Sequence, residues 1–543
     1  MEIKISQNSQ RTLHKKMTTN CHLLLLLGVL TTITTALTPL DVYVQKSEPK
    51  YSWYDTGVVV DKMLFGSTAH MLNVTSLEWL DTARAVGPNG AIWSHQVMVV
   101  IPKKLTIHNM STVVLTGGCN EGHGNGTGPS PPDASDEYLT VADNIAYQTG
   151  GIAVVVYQIP NCHYHFPSDP TNKRRSEDAL IAWAWYEYVN DPKHDPEWLP
   201  RLPMAKAGFQ CMKAVEEYLQ QKKIANPKGW LVSGASKRGW TSWMVGATTP
   251  FEGLPLVIGI APLVPIVPNL VAEVHRQWMS YDGFTFAFTD YAAVNFTQII
   301  DGPEFASALK IIDPMYYGER LSQVPKVVVL SSDDEFMQFD WSDIWYDSLT
   351  GEKHLLIAPN SEHSLATGIP EVLACLSAFY KSLAEGVTER PTFDYQYNQT
   401  NGAITVTIPK GMVHGKVVLR HATTFSTVRR DFRWVRLAND ATGACNLPEI
   451  KIPPVSEGGG NCLVPIIWEG TTLQPIDAST PNVYVGIPPT PKKGHWKGYY
   501  IEVYYPSNVG IKSEFQFTTP GYAWPNTLPF KDCHGSECVG RLV

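Results

Sequence analysis

From about residue 112 to residue 357 the chain alternates two patterns. Short, mostly apolar runs at 112–115, 152–158, 229–233, 256–260, 327–330 and 355–357 are too brief for helices. They lack polar alternation, as expected of strands covered on both faces. Between them, stretches with apolar residues every three to four positions predict helices over 136–148, 176–190 and 203–222, and another follows the last strand at 370–383. The third opens on Pro203 and carries Ala207, Cys211, Val215 and Leu219 on one stripe. This alternation predicts an α/β domain over 111–388, built on a mostly parallel sheet.

The flanks follow a different period. Segments at 51–60, 70–80 and 91–101 alternate apolar and polar positions and predict a β lead-in over 37–110. Past Pro391 the period is again two, at 395–397, 403–408, 416–420, 499–505 and 513–518, with turn residues between. That pattern predicts an antiparallel β-sandwich over 389–530, followed by a short tail, 531–543. Inside the α/β domain, about 265–321 is a long aromatic, partly helical insertion. It suits either a cap over a site or ordinary helices packed on the sheet.

Length and composition narrow the class. At 543 residues the chain exceeds one ordinary core, so two or three domains are expected. Charged residues are 17% of the total against 44% hydrophobic, which excludes disorder over most of the length. The net charge is −8, while residues 1–36 alone carry +3. The remainder is acidic and has no basic run, which argues against nucleic acid as a partner.

Lys15 and Lys16 precede an apolar core at 23–30, then small residues ending at Ala36. This is the layout of a secretory signal, residues 1–36, cleaved before Leu37. A membrane anchor is the competing reading, but the run falls short of the roughly 20 apolar residues a spanning helix needs. No span is expected in the mature chain. Two further features agree with secretion. Eight cysteines remain after the signal, and Cys533–Cys538 and Cys445–Cys462 would each close a short loop, with Cys211 and Cys375 suited to buried thiols. Sequons at Asn73, Asn109, Asn125, Asn295 and Asn398 are glycan acceptors on a eukaryotic secretory route.

Candidate chemistry lies at the strand ends. Trp230-Leu231-Val232-Ser233-Gly234-Ala235-Ser236-Lys237-Arg238-Gly239 carries an apolar strand into Gly-x-Ser and then a helix-like segment. Such a turn lifts a serine hydroxyl above the sheet as a nucleophile; an N-cap serine is the plainer alternative. The usual motif has glycine two residues after the serine, whereas here Arg238 holds that place and Gly239 follows. An acid at Asp334, or alternatively Asp333, follows the strand at 326–330, and His363 follows the strand at 354–357. Serine, acid, histidine is the chain order of an α/β-hydrolase triad. His363 suits a general base because imidazole titrates near working pH; a solvated loop histidine is the alternative. Gly118 and Cys119, in the loop after an early strand, could offer backbone N–H groups to an oxyanion beside that of Lys237. A plain glycine turn fits the same residues.

Metal readings are weak. Asp333-Asp334-Glu335 has no spaced ligand series for a cation, and His163-Tyr164-His165 has no third ligand nearby in sequence. Neither a phosphate loop nor a paired CxxC is present. No metal and no organic cofactor is expected.

Several motifs recur together: Leu40-Asp41, Tyr51-Ser52-Trp53, Gln158-Ile159-Pro160-Asn161, Glu177-Asp178-Ala179-Leu180, the Ser236-Lys237-Arg238-Gly239 elbow, His363-Ser364-Leu365 and Arg430-Asp431-Phe432-Arg433. As a set they closely resemble the PhoPQ-activated pathogenicity-related protein family, over nearly the whole mature chain. The resemblance implies an α/β-hydrolase fold with Ser236, Asp334 and His363 as the triad, and it implies that Arg238 in the elbow is a family trait. Ser332 stands where a glycine is expected before the acid, so both aspartates stay open. The expected activity is acyl-enzyme hydrolysis of a peptide or ester. Because some members act as secreted signals that slow proliferation, the resemblance also carries a second expectation, a non-catalytic scaffold met by a cell-surface receptor.

Overall fold

The computed structural model describes residues 37–121, 128–437, 461–507 and 513–543, with the backbone of short strands at 445–446 and 451–452. The expected signal, 1–36, and the sequon at Asn125 lie outside the described residues. Nine strands form the main sheet: β1 (Ser52–Val60), β2 (Thr68–Glu78), β3 (Ile92–Ile101), β4 (Ser111–Leu115), β5 (Ile152–Val156), β6 (Trp230–Ala235), β7 (Val257–Leu263), β8 (Lys326–Ser331) and β9 (Lys353–Ala358). Their spatial order is β1-β2-β3-β5-β4-β6-β7-β8-β9. Strands β4 to β9 run parallel; β1, β2 and β3 are antiparallel, and β3 pairs antiparallel with β5. The lead-in therefore extends the main sheet rather than preceding it.

Eight helices matter here: α1 (Pro39–Gln45), α2 (Glu137–Thr149), α3 (Glu177–Asn190), α4 (Arg201–Gln221), α5 (Lys237–Ala247), α6 (Leu270–Tyr281), α7 (Pro303–Ile312) and α8 (Ile369–Ala384). Period two on the strands sorts them to opposite faces. Met98, Val100, Ala153 and Val155 pack under α2 with Ala142 and Ile145. Their neighbours Val97, Val99, Val154 and Val156 pack with Ala205, Met212 and Val215 of α4. With helices on both sides, every residue of β4 and β5 is buried, which is why those strands show no polar alternation. Helix α2 starts where Asp136 accepts the Leu139 N–H and stops at Gly150 in the left-handed region. The mostly parallel sheet, its single β4/β5 crossover and its helix-covered faces make this an α/β-hydrolase fold.

Past Pro391 the described residues form two larger antiparallel sheets, one of three strands and one of five, and two small two-stranded ones. The two larger sheets share a core in which Ile404 and Val406 meet Leu419, Ile501 and Val503. The strand Glu514–Thr518 of the larger sheet lies against α8 and β9, so this region is welded to the α/β core. The insertion at about 265–321 is helical, including α6 and α7. It packs on α3, where Trp185 meets Tyr291, Phe296 and Phe305, and on α5, where Trp240 Nε1 donates to the Ile312 carbonyl. His275 in α6 sits between Asp301 and Asp532, 2.8 Å from each, tying the insertion to the tail.

Cys533 and Cys538 are bonded, as the spacing suggested. Cys119 bonds Cys162, a long-range pair that spacing did not reveal. Cys211 and Cys375 are buried thiols. The expected Cys445–Cys462 bridge falls on Cys445, whose side chain lies outside the described residues. Among the sequons, Asn109, Asn295 and Asn398 are exposed, while Asn73 is half buried within β2. No helix among the described residues is long and apolar enough to cross a membrane.

Candidate active site

The turn from β6 into α5 is built by two close approaches. A Cβ on Gly234 would meet the Arg238 carbonyl and the Leu115 carbonyl at 2.9 Å each. One on Gly239 would meet the Leu263 carbonyl at 2.5 Å. Backbone atoms cannot yield, so both positions require glycine. The second close approach falls three residues after the serine, which accounts for the shifted motif. Between them Ser236 is held at φ 58° and ψ −123°, a conformation that costs a non-glycine residue about 1–3 kcal/mol. Its side chain does not cap α5, so the plainer N-cap alternative does not describe it. Lys237 opens α5, and its N–H belongs to the first helical turn, where donors have no intrahelical acceptor.

His363 follows β9 and its ring is anchored on one side. Nδ1 donates to the Asp334 carboxylate, 2.9 Å from both oxygens. Asp334 is itself oriented by the N–H groups of Phe336 (2.7 Å) and Met337 (3.1 Å) and by the Ser331 hydroxyl (3.2 Å). Phe336 also packs on the imidazole, with ring centroids 4.4 Å apart. Asp333 points elsewhere. Its carboxylate accepts from the Ser332 hydroxyl at 2.6 Å and from Trp468 Nε1 at 2.9 Å, and burial pushes its pKa well above the usual carboxylate range. The aspartate in contact with the imidazole is thus Asp334.

His363 Nε2 is buried and has no hydrogen-bond partner. It and Ser236 lie on the wall of one cavity of about 310 Å³, without a hydrogen bond between them. Such bonds are often long before substrate binds. Burial lowers the imidazole pKa, but the Asp334 charge, its hydrogen bond and the Glu335 charge outweigh it, leaving His363 above its ordinary 6.5. Glu335, read from sequence only as part of an acidic run, accepts the His363 backbone N–H at 3.0 Å. Burial, then the Asp334 charge, push it up to about 7.

The loop after β4 reaches this cavity through Thr116 and Gly117. Gly118 follows in the left-handed region at φ 98°, and Cys119 is tied to Cys162 in the loop after β5. Arg238 braces the same loop. Its guanidinium lies where a Cβ on Gly117 would be, it bonds the Ile159 carbonyl, and it pairs with Glu177 at 2.5 Å. Lys237 Nζ pairs with Asp178 at 2.9 Å and Glu177 at 3.1 Å. No described residue of the insertion at 265–321 lines this cavity. His163 faces Arg174 and Glu121 while Tyr164 is fully buried, which is loop packing.

Residues 40–433 match the family described as PhoPQ-activated pathogenicity-related protein. The chain belongs to this family. A relative, autocrine proliferation repressor protein A of Dictyostelium discoideum, is 30% identical over 529 residues, 95% of this chain and 96% of its own length. Among solved structures, acetyl xylan esterase 1 from Thermoanaerobacterium sp. is 13% identical, covering 63% of this chain and 93% of that one, with a TM-score of 0.40. An S-formylglutathione hydrolase from Agrobacterium tumefaciens is also 13% identical, covering 60% and 97%, with a TM-score of 0.35. In this PhoPQ-related chain the elbow's Arg238 is a structural brace, and Ser332, where a glycine was expected, donates to Asp333. Sequence alone gave no signal for the Cys119–Cys162 bond or for the Arg238–Glu177 pair, because each joins segments far apart in the chain.

Proposed function

We propose that this protein is a secreted serine hydrolase acting on ester or peptide bonds through an acyl-enzyme. The observation that carries this reading is the oriented imidazole: Nδ1 is fixed on Asp334, Nε2 is buried without a hydrogen-bond partner, and His363 lines the same cavity as Ser236. In the reaction, Nε2 takes the Ser236 proton as Oγ adds to the substrate carbonyl carbon. The same proton then passes to the leaving alcohol or amine as the acyl–heteroatom bond breaks. A water repeats the cycle, releasing the acid and restoring the serine. The Lys237 N–H at the start of α5 is suited to hold the oxyanion, with Gly118 and Cys119 as the second source of donors; they follow the cavity-lining Gly117, whose own N–H is taken by Thr116 Oγ1 at 2.7 Å. Two disulfides and three exposed sequons support secretion.

The test is covalent labelling. A fluorophosphonate should form one adduct, mapped by mass spectrometry to Ser236, and Ser236→Ala should take none. A native wild type that resists the probe would remove the reading's foundation. The base should also show in the pH profile. A neutral imidazole is required, so kcat/KM should fall as pH drops through a limb above 6.5. Glu335→Gln removes a negative charge that favours the imidazolium, so it should move that limb to lower pH. A limb that stays in place would separate Glu335 from the titration.

A second reading rests on the name of the Dictyostelium relative, an autocrine proliferation repressor. Here the same fold serves as a secreted growth-slowing signal. Ser236→Ala separates the two: growth suppression that survives in the unlabelled variant would not depend on catalysis.

A further inference from the structure

The cavity at Ser236 does not stop at the catalytic groups. It continues down one face of the sheet, between α2 and α8. Thr112 and Val114 of β4 and Leu231 and Ser233 of β6 form its floor side. Along α8 the lining runs from Ile369 to Tyr380, which is about 16 Å of helix at 1.5 Å per residue. Ile145, Leu231, Leu376 and Tyr380 close the far end, all buried. The mouth is different in character: Glu137, Ser364 and Ile369 are exposed there, beside Ser236 and His363.

The interior is chemically apolar. Two of its deep hydroxyls are tied off, Ser233 Oγ donating to the Ala261 carbonyl at 2.7 Å and Tyr380 Oη to the Met110 carbonyl at 2.8 Å. Thr112 Oγ1 is buried without a partner, one hydroxyl against walls otherwise made of aliphatic and aromatic groups. No charged side chain lines the deep end. A peptide segment placed there would leave its amides unpaired, whereas a hydrocarbon chain would not.

From this we propose that the acyl group transferred to Ser236 is a saturated aliphatic chain of medium length, seated between α2 and α8 with its carbonyl at the serine. The proposal rests on the serine-hydrolase reading and names its substrate class: esters of medium-chain fatty acids. Size sets the length. A cavity of about 150 Å³ takes benzene, so about 310 Å³ has room for roughly twice as many carbons, about eight to twelve in a chain. In the chemical step the acyl–oxygen bond of the ester breaks, the alcohol leaves with the proton from Ser236, and water later releases the fatty acid.

The experiment uses the full mature chain and p-nitrophenyl esters from acetate to palmitate. kcat/KM should rise by about fourfold per methylene over the first carbons, following the transfer free energy of a buried CH₂. It should peak between octanoate and dodecanoate and fall for longer chains. Leu373→Trp, a half-buried position on the wall, should shift the optimum to shorter chains. Binding is read separately from catalysis: Ser236→Ala should bind decanoate by calorimetry and bind acetate much more weakly. Flat or falling rates from acetate onward, or an optimum unmoved by Leu373→Trp, would overturn the acyl assignment while leaving the hydrolase intact. Absence of labelling and turnover would instead remove the hydrolase reading, and failure of Ser236→Ala to bind decanoate would overturn the cavity's role on its own.

Discussion

Asp334→Asn is expected to lower kcat on an activated ester by about 10⁴, the loss seen when the aspartate of a serine triad becomes an amide. The cause lies in what already holds Asp334. Its Oδ1 accepts the Phe336 and Met337 N–H groups. An asparagine would keep its carbonyl oxygen on those donors and turn its NH₂ toward His363. Nδ1 would then have to accept, which places the ring proton on Nε2, the atom required as the base. Asp333→Asn is the matched control. Asp333 does not touch the imidazole, and burial favours its protonated form, which an amide resembles. The Ser332 hydroxyl can rotate to accept from the new NH₂ while Trp468 keeps its acceptor. Its kcat should stay within a small factor of wild type. Thermal melts should show both variants folded. If Asp333→Asn were the crippled enzyme and Asp334→Asn the active one, the acid would have been wrongly placed.

What could be read from the chain was local. Strands β4 to β9 announced themselves because burial on both faces leaves unbroken apolar runs, and the elbow did so because a strand, a glycine and a serine are contiguous. Where each candidate site residue sits in sequence followed from those strands, since loops at one end of a parallel sheet are where a site is expected. Three features needed the fold. Which aspartate meets His363 depends on one peptide's direction after β8, and Asp333 and Asp334 are equivalent in composition. The Cys119–Cys162 bond joins loops that only become neighbours because β5 pairs with β4. The apolar channel is made by spaces between α2, α8 and the sheet; each lining residue, taken alone, is an ordinary core residue. The insertion at 265–321 was ambiguous for a related reason: aromatic richness suits a lid and a packing layer equally. In the fold it is spent on contacts with Trp185, Trp240 and the tail.

Asp431→Ala is expected to destabilise the protein by about 3–5 kcal/mol, the range found when one partner of a buried ion pair is removed. Asp431 is fully buried and sits between two buried arginines. Arg433 meets it with Nε at 2.9 Å and Nη2 at 2.7 Å, a paired fork. Arg436 Nε lies 3.2 Å away as an ion pair without hydrogen-bond alignment, so Arg433 is the main partner. Burial raises the Asp431 pKa, but the two guanidiniums outweigh it and hold it well below the usual carboxylate range. Alanine would leave two cations buried without their anion. The sign of the pH effect follows. A carboxylate depressed in the folded state contributes above its unfolded value of about 3.9, and that contribution is lost as pH falls further. Urea unfolding at pH 7 should show the full loss for Asp431→Ala, and the gap from wild type should narrow at pH values below about 4. The damage should also reach the active site. Arg433 donates to the Val543 carbonyl at 2.9 Å, and Trp434, its neighbour, donates its N–H to the Asp333 carbonyl at 3.1 Å. Through that peptide the arginine cluster holds the turn that presents Asp334. A stability change under about 1 kcal/mol, the level of a surface pair, would show that water reaches the cluster and that the turn at Asp334 is held by other contacts.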